Sequence, residues 1–345
     1  MPVVPVDPVH PDPAIITDAA VRLRAGELVA FPTETVYGLG ANALDAAAVA
    51  RLYAAKGRPA WNPVIAHVPD HEAARALARA WPAAAERLAQ AFWPGPLTLV
   101  VAKAAHVPDV ATAGLDAVAV RVPAHPVALA LLRAAAVPVA APSANRFTQV
   151  SPTTAQHVVR SLGDRVPLVL DGGPCAVGIE STVVDCTGED VRILRPGMIG
   201  RESLQDALAP IGIHVRHGAR GTVAHGATQL APGDVPRAPG MADRHYAPQA
   251  EVWLFPAEQR EEIVSALNER ATGGRPVVAL LRTVTLPTPT QVTAMPSEPD
   301  TYARVLYAAL HDADTAEAGL VLIEAPPEGD AAWDGVRDRL SRAAR

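Results

Sequence analysis

The chain has 345 residues, 49% of them hydrophobic and 19% charged, with a formal net charge of −6. It is long enough for two domains with separate cores and too apolar for a disordered chain. Its mildly acidic balance argues against a protein that coats nucleic acid and leaves room only for a local basic cleft. The only cysteines are Cys175 and Cys186, with no CxxC pair. This argues against a disulfide framework or a cysteine zinc site and points to the reducing cytoplasm. The opening MPVVPVDPVHPDP has neither the basic nor the continuous apolar region of a signal peptide, and no apolar run approaches the length of a membrane span.

After the proline-rich start, Thr17 or Asp18 is placed to cap a helix over 19–25, which Gly26 ends before a strand over 27–31. Pro32 stops that strand by removing a ladder donor. The hydroxyls of Thr33, Thr35 and Tyr37 and the carboxylate of Glu34 then fall on a turn that Gly38 and Gly40 keep flexible. Asp45 is expected to cap a helix ending at Gly57, which sets Lys56 and Arg58 together at a helix exit. A strand over 64–68 carries His67, and helices capped by Asp70 and covering 83–92 follow. The rigid turn Trp93-Pro94-Gly95-Pro96 leads to a buried strand over 97–102. A strand over 117–122 contains Arg121, a helix covers 125–135, and a strand over 137–141 runs into Pro142-Ser143-Ala144-Asn145. A helix opening at Ser151-Pro152 runs to 162, and a strand over 166–170 reaches the turn Asp171-Gly172-Gly173-Pro174. Strands at 181–185 and 191–194 read as a hairpin that delivers Arg195, and a helix covers 201–208. This irregular alternation predicts an α/β domain with a mixed twisted sheet.

Residues 215–248 are rich in Pro and Gly and read as a linker. It is longer than a passive connection needs, and it carries Arg244, His245 and Tyr246. Beyond it, strands at 251–255, 276–281 and 319–323 alternate with helices at 257–270, 300–313 and 330–343, the pattern of a smaller Rossmann-like domain. No GxGxxG is present, so no dinucleotide site is inferred.

Thr33 and Thr35, Arg121, Ser143 and Asn145 with Ser151, and Ser181 with Arg195 each fall just beyond a short apolar strand. In open α/β sheets that is where ligands bind. Any one of them alone reads as a turn residue or a solvated cation. Together with Lys56 and Arg58 they suit a small polar ligand bearing phosphates.

Lys56-Gly57-Arg58 and Ser143-Ala144-Asn145 resemble the KxR and SxN signature of the YrdC/Sua5 family, the threonylcarbamoyl-AMP synthases. FPTETVYGLG, the segment from Ser181 to Asp185, and PGMADRHYAP are similar to the rest of that pattern. The resemblance implies a YrdC-like catalytic domain over 12–214, a linker or lid over 215–248 and a Sua5-type carboxy-terminal domain over 249–345. It implies condensation of L-threonine, bicarbonate and ATP to L-threonylcarbamoyladenylate with release of pyrophosphate. The product would feed N6-threonylcarbamoylation of adenosine in tRNA by a downstream transferase. Threonine would be held by Thr35, His67, Arg121, Ala141 and Ser181, with Arg121 on its carboxylate. ATP would be held by Arg58, Asn62, Ala117, Ser143, Asn145, Ser151, Arg195 and Tyr246, with Lys56 and Arg58 as the catalytic cations. Mg²⁺ would travel with ATP, without a carboxylate cage of its own. Two alternatives remain. One is a carbamoyladenylate-forming enzyme like the module of hydrogenase-maturation proteins. The other is a module whose cleft takes double-stranded RNA or tRNA directly.

Overall fold

The computed structural model describes residues 2–217, 245–269, 275–286 and 291–344. Short apolar runs broken by Pro and Gly become short strands: β1 Val3–Pro5, β2 Val29–Phe31, β3 Gly38–Asn42, β4 Ile65–His67, β5 Leu97–Ala102 and β6 Ala117–Arg121. They continue as β7 Val139–Ala140, β8 Leu168–Asp171, β9 Thr182–Asp185, β10 Val191–Arg195 and β11 Val215–His217. All eleven join one sheet in the order β1-β8-β2-β3-β7-β4-β6-β5-β9-β10-β11. Pairings of both senses occur along it, as in antiparallel β2 with β3 and parallel β4 with β6, so the sheet is mixed as the hairpin pattern required.

The alternation of side chains along each strand feeds a core on either face. Val29 and Phe31 pack with Leu23 and Leu131 from helices Pro13–Arg24 and Pro126–Ala135, while Ala30 points the other way. On that second face Leu39, Leu97 and Leu99 meet Leu52 and Leu88 from helices Ala46–Lys56 and Ala83–Phe92. A second, wholly parallel sheet is formed by β12 Glu251–Phe255, β13 Val277–Leu281, β14 Gln291–Ala294 and β15 Leu320–Glu324, in the order β12-β15-β13-β14. Helices Pro299–Thr315 and Asp334–Ala343 belong to this half. Its core is continuous with the first half, because Val36, Val150 and Ile179 cluster with Tyr246, Tyr302 and Tyr307. Helix Pro299–Thr315 comes so close that a Cβ on Gly178 would lie 2.4 Å from the carbonyl oxygen of Ala303.

Several expectations need correction. The first helix starts at Pro13, six residues early, because Asp12 caps it through the Ala14 N–H and proline is favourable in the first turn. The flexible turn at Gly38 and Gly40 is strand β3, paired on both edges by β2 and β7. The helix expected from Ser151-Pro152 begins at Ala155 with Thr154 as its cap. Val215–His217, read as linker, is an edge strand that takes its partners from β10. β1 and β14 carried too little local signal to be anticipated. The interior of the linker, with Arg244, lies outside the described residues.

Candidate active site

The mixed sheet brings the ends of β2, β4, β6 and β10 and the start of β9 to one cleft. Its walls include Thr35, Arg58, His67, Arg121, Ser143, Ser181, Arg195 and Tyr246. His67 and Arg121 are register partners on parallel β4 and β6, which explains their meeting.

The segment after β2 folds into a chain of hydroxyls. Thr33 Oγ1 donates to Val36 O at 2.6 Å, so the 2.8 Å contact between the two threonines must be donated by Thr35. Arg121 Nη1 donates to Thr35 Oγ1 at 3.0 Å. The proton of Thr35 therefore points inward, and its remaining lone pair accepts. Tyr37 leaves this group, since its hydroxyl donates to Gly173 O at 2.7 Å and burial pushes its pKa up.

Arg121 carries an unforeseen partner. Its Nη2 donates to Glu34 Oε1 at 2.6 Å and its Nε to Gly95 O at 3.2 Å, while Glu34 Oε2 accepts the Ala124 N–H. Both residues are buried, so this is a desolvated pair and not a lone cation waiting for a carboxylate. Two of the five guanidinium N–H bonds remain for a ligand. His67 beside it is held neutral: burial, with the nearby Arg121 charge, depresses its pKa to about 3. Its Nδ1 faces Ile65 O at 3.3 Å. An imidazole in that state is a poor general base near neutral pH.

Asp45 caps helix Ala46–Lys56 through the amides of Ala47 and Ala48, and Gly57 ends it in the left-handed conformation, as expected. Arg58 Nη2 then donates to Asn62 Oδ1 and Pro63 O, both at 2.6 Å, and its Nε to Asn62 O at 3.1 Å. Burial lowers its pKa to about 10, so it stays charged at neutral pH. Lys56 does not face the cleft. Its ammonium donates to the carbonyls of Ser143 and Asn145, tying the helix exit to the SxN loop. Desolvation, with the Arg58 charge, holds its pKa well below the ordinary value.

Before β9, Ser181 Oγ lies 2.8 Å from Thr98 Oγ1, and Arg195 at the end of β10 donates through Nη2 to Ser181 O and Oγ at 3.0 and 3.2 Å. Ser151 donates to Glu180 Oε1 at 2.5 Å. His245 and Tyr246 close one side, both buried, with Arg339 5.1 Å from the Tyr246 ring centroid. Among the described residues, buried Asn62 Nδ2, Asn145 Oδ1, His245 Nδ1 and Tyr246 Oη find no hydrogen-bond partner. Orphaned buried polar atoms at a cleft are what a polar ligand would satisfy. Among the described residues no three His, Cys, Asp or Glu side chains converge to hold a metal.

Two family models together match almost the whole chain. The Sua5_yciO_yrdC model, described as "Telomere recombination", matches residues 21–197, and the "Threonylcarbamoyl-AMP synthase, C-terminal domain" model matches residues 199–345. The chain belongs to the Sua5/YciO/YrdC family. A threonylcarbamoyl-AMP synthase of Pyrococcus abyssi is 49% identical over 68% of this chain and 66% of its own length. One from Bacillus subtilis is 43% identical over 77% of this chain and 73% of its own. The crystal structure of P. abyssi Sua5 complexed with L-threonine superposes with a TM-score of 0.89 at 38% identity, covering 100% of this chain and 98% of that one.

Within this Sua5-family chain the expected site residues fall into two sets, with Ala117 in neither. Thr35, Arg58, His67, Arg121, Ala141, Ser143, Ser181, Arg195 and Tyr246 line the cleft. Lys56, Asn62, Asn145 and Ser151 stand behind it, bonded to residues that line it or to their loops. Ala117 begins the strand that Arg121 ends, four residues from the cleft. Sequence reasoning missed Glu34 as the partner of Arg121 and overlooked Glu180 altogether. An acidic residue directly before Ser181 was the available signal for the second. Neither Tyr307 nor Arg339, which reach Glu180 from the second half, had any.

Proposed function

We propose that the protein is an L-threonylcarbamoyladenylate synthase acting on L-threonine, bicarbonate and ATP. The observation that carries this reading is the match over the whole chain to a Sua5 complexed with L-threonine, on a cleft that gathers Arg58, Arg121 and Arg195 with acceptor hydroxyls. The threonine amine and bicarbonate condense to a carbamate with loss of water. A carbamate oxygen then attacks the α-phosphate of ATP and pyrophosphate leaves.

The residues suit these steps. Thr35, its proton committed inward, accepts from the ammonium or hydroxyl of threonine. The two spare N–H bonds of Arg121 serve the threonine carboxylate, while Glu34 fixes the plane of the fork. Arg58 and Arg195 supply charge for the phosphates, where positioning and electrostatic stabilisation do most of the work. Asn62, Asn145 and Ser151 shape the nucleotide side, and Lys56 acts by anchoring the carbonyls of Ser143 and Asn145. Mg²⁺ would neutralise phosphate charge and would come bound to the triphosphate. The buried Glu180 is already held by Ser151, Tyr307 and Arg339, so no step is assigned to a protein-bound metal. The product would pass to a tRNA-modifying transferase in the cytoplasm. Among the described residues no helix is long and apolar enough to cross a membrane.

The test is ATP–pyrophosphate exchange with purified protein. Exchange is expected only when both threonine and bicarbonate are present; equal turnover without threonine would sink the reading.

A further inference from the structure

The wall of the cleft that the proposed function assigns to threonine and ATP contains a carboxylate. Glu180 lines the cleft and is only 7% exposed. Its Oε2 accepts from Arg339 Nε at 2.7 Å and from Tyr307 Oη at 3.0 Å, and its backbone oxygen accepts Arg339 Nη2 at 3.3 Å. Arg339 is 1% exposed and sits on helix Asp334–Ala343 of the second half, 159 residues away in sequence. Its Nη1 donates to Pro196 O at 3.0 Å and Asp338 Oδ2 at 2.6 Å, and its guanidinium lies against the ring of Tyr246. One side chain therefore touches the residue before Ser181, the residue after Arg195, and the aromatic that closes the cleft.

We propose that Arg339 is a positioning residue for the nucleotide: its charge cancels that of Glu180, and its fork fixes Ser151 through Glu180 and Arg195 through Pro196. The catalytic half is then incomplete without the second half, which supplies the compensating cation. Without it, Glu180 would keep the Ser151 and Tyr307 hydroxyls but lose its paired guanidinium, leaving its charge poorly offset toward the ATP phosphates, and like charges in a desolvated site repel strongly. The balance is visible in Glu180 itself. Burial would raise its pKa, yet Arg339, Arg195 and the Ser151 hydroxyl outweigh burial and hold it below the ordinary value. Tyr246 and Tyr307 also face it, Lys56 acts on it through space from behind the cleft, and Asp338 shares Arg339.

This inference rests on the ATP-dependent reading above, and its test separates the two. Full-length wild type, Arg339→Met, Arg339→Lys and the double variant Glu180→Gln/Arg339→Met are titrated with ATP by calorimetry between pH 5.5 and 8.5, with thermal unfolding in parallel. Arg339→Met is expected to weaken ATP binding about tenfold or more at pH 8, and less toward the acid end of the range, as the carboxyl that has lost its guanidinium partner becomes easier to protonate. Arg339→Lys is expected to recover part of the loss. The double variant is expected to recover most of it and to lose the pH dependence. A purely structural Arg339 would lower stability without either the pH dependence or the rescue, and that result overturns the proposal. If Arg339→Met does not fold, the double variant decides: folded protein that binds ATP supports cancellation, and failure to fold or bind overturns it. A wild type that binds no ATP defeats the functional reading instead.

Discussion

Arg58, Arg121 and Arg195 share a residue type but not a situation. Arg195 is committed to Ser181, Arg121 to Glu34 and Thr35, and Arg58 to the Asn62-Pro63 turn. Arg58→Ala is therefore expected to lower kcat/KM by about 10²-fold or more, the usual scale for removing a donor aimed at developing charge, in a pyrophosphate-release assay. Arg58→Lys should not restore it, because one ammonium cannot span Asn62 and Pro63 as the planar fork does. An Arg58→Lys variant with wild-type activity would remove this geometry from the account. The cations and hydroxyls were legible because motif spacing names them directly. Their partners were not: Glu34 and Arg121 are 87 residues apart and meet only because β2 and β6 end at the same cleft.

At the scale of elements, caps carried the strongest local information. Asp45 and Asp70 mark observed helix starts, since a side chain satisfying its own nearby N–H groups needs no tertiary help, and Gly57 marks a helix end because it adopts the left-handed conformation without strain. Strand β3 shows the opposite. Gly38 and Gly40 offer no side-chain pattern and read as a turn, while the ladders to β2 and β7 make them a strand. Gly40 serves close approach, because a Cβ there would lie 2.9 Å from Phe31 Cε1 and 3.0 Å from both Val139 Cγ1 and Val29 O. Gly40→Ala is expected to cost about 1–3 kcal/mol, the range for overpacking, seen as a lower denaturant midpoint at unchanged m-value. An unchanged midpoint would show that β2 and β7 yield easily.

Over the whole molecule, the two halves are joined by buried polar contacts as well as apolar ones. His157 and His311 stack with ring centroids 3.8 Å apart, and His311 Nε2 donates to Ser151 O at 3.1 Å. Burial depresses both, to about 3 for His157 and about 4 for His311. The unfolded value lies near 6.5, so the unfolded chain binds more protons in between. The stability these residues contribute is present above pH ~6.5 and is lost as pH falls toward their folded values. Denaturation midpoints are expected to drop steadily below pH ~6.5, and less steeply in His311→Gln; equal slopes would take the pair out of the acid response. By itself the sequence determined the caps at Asp45, Gly57 and Asp70, the mixed character of the first sheet, the β/α alternation of the second and the identity of the cations, because each rests on local periodicity, capping or motif spacing. Only the tertiary structure decided that Lys56 turns away from the cleft, that Arg121 is already paired, and that Glu180 takes its counter-charge from Arg339. Burial and long-range pairing set those outcomes, and a buried charge settles with whichever distant partner the fold brings within reach.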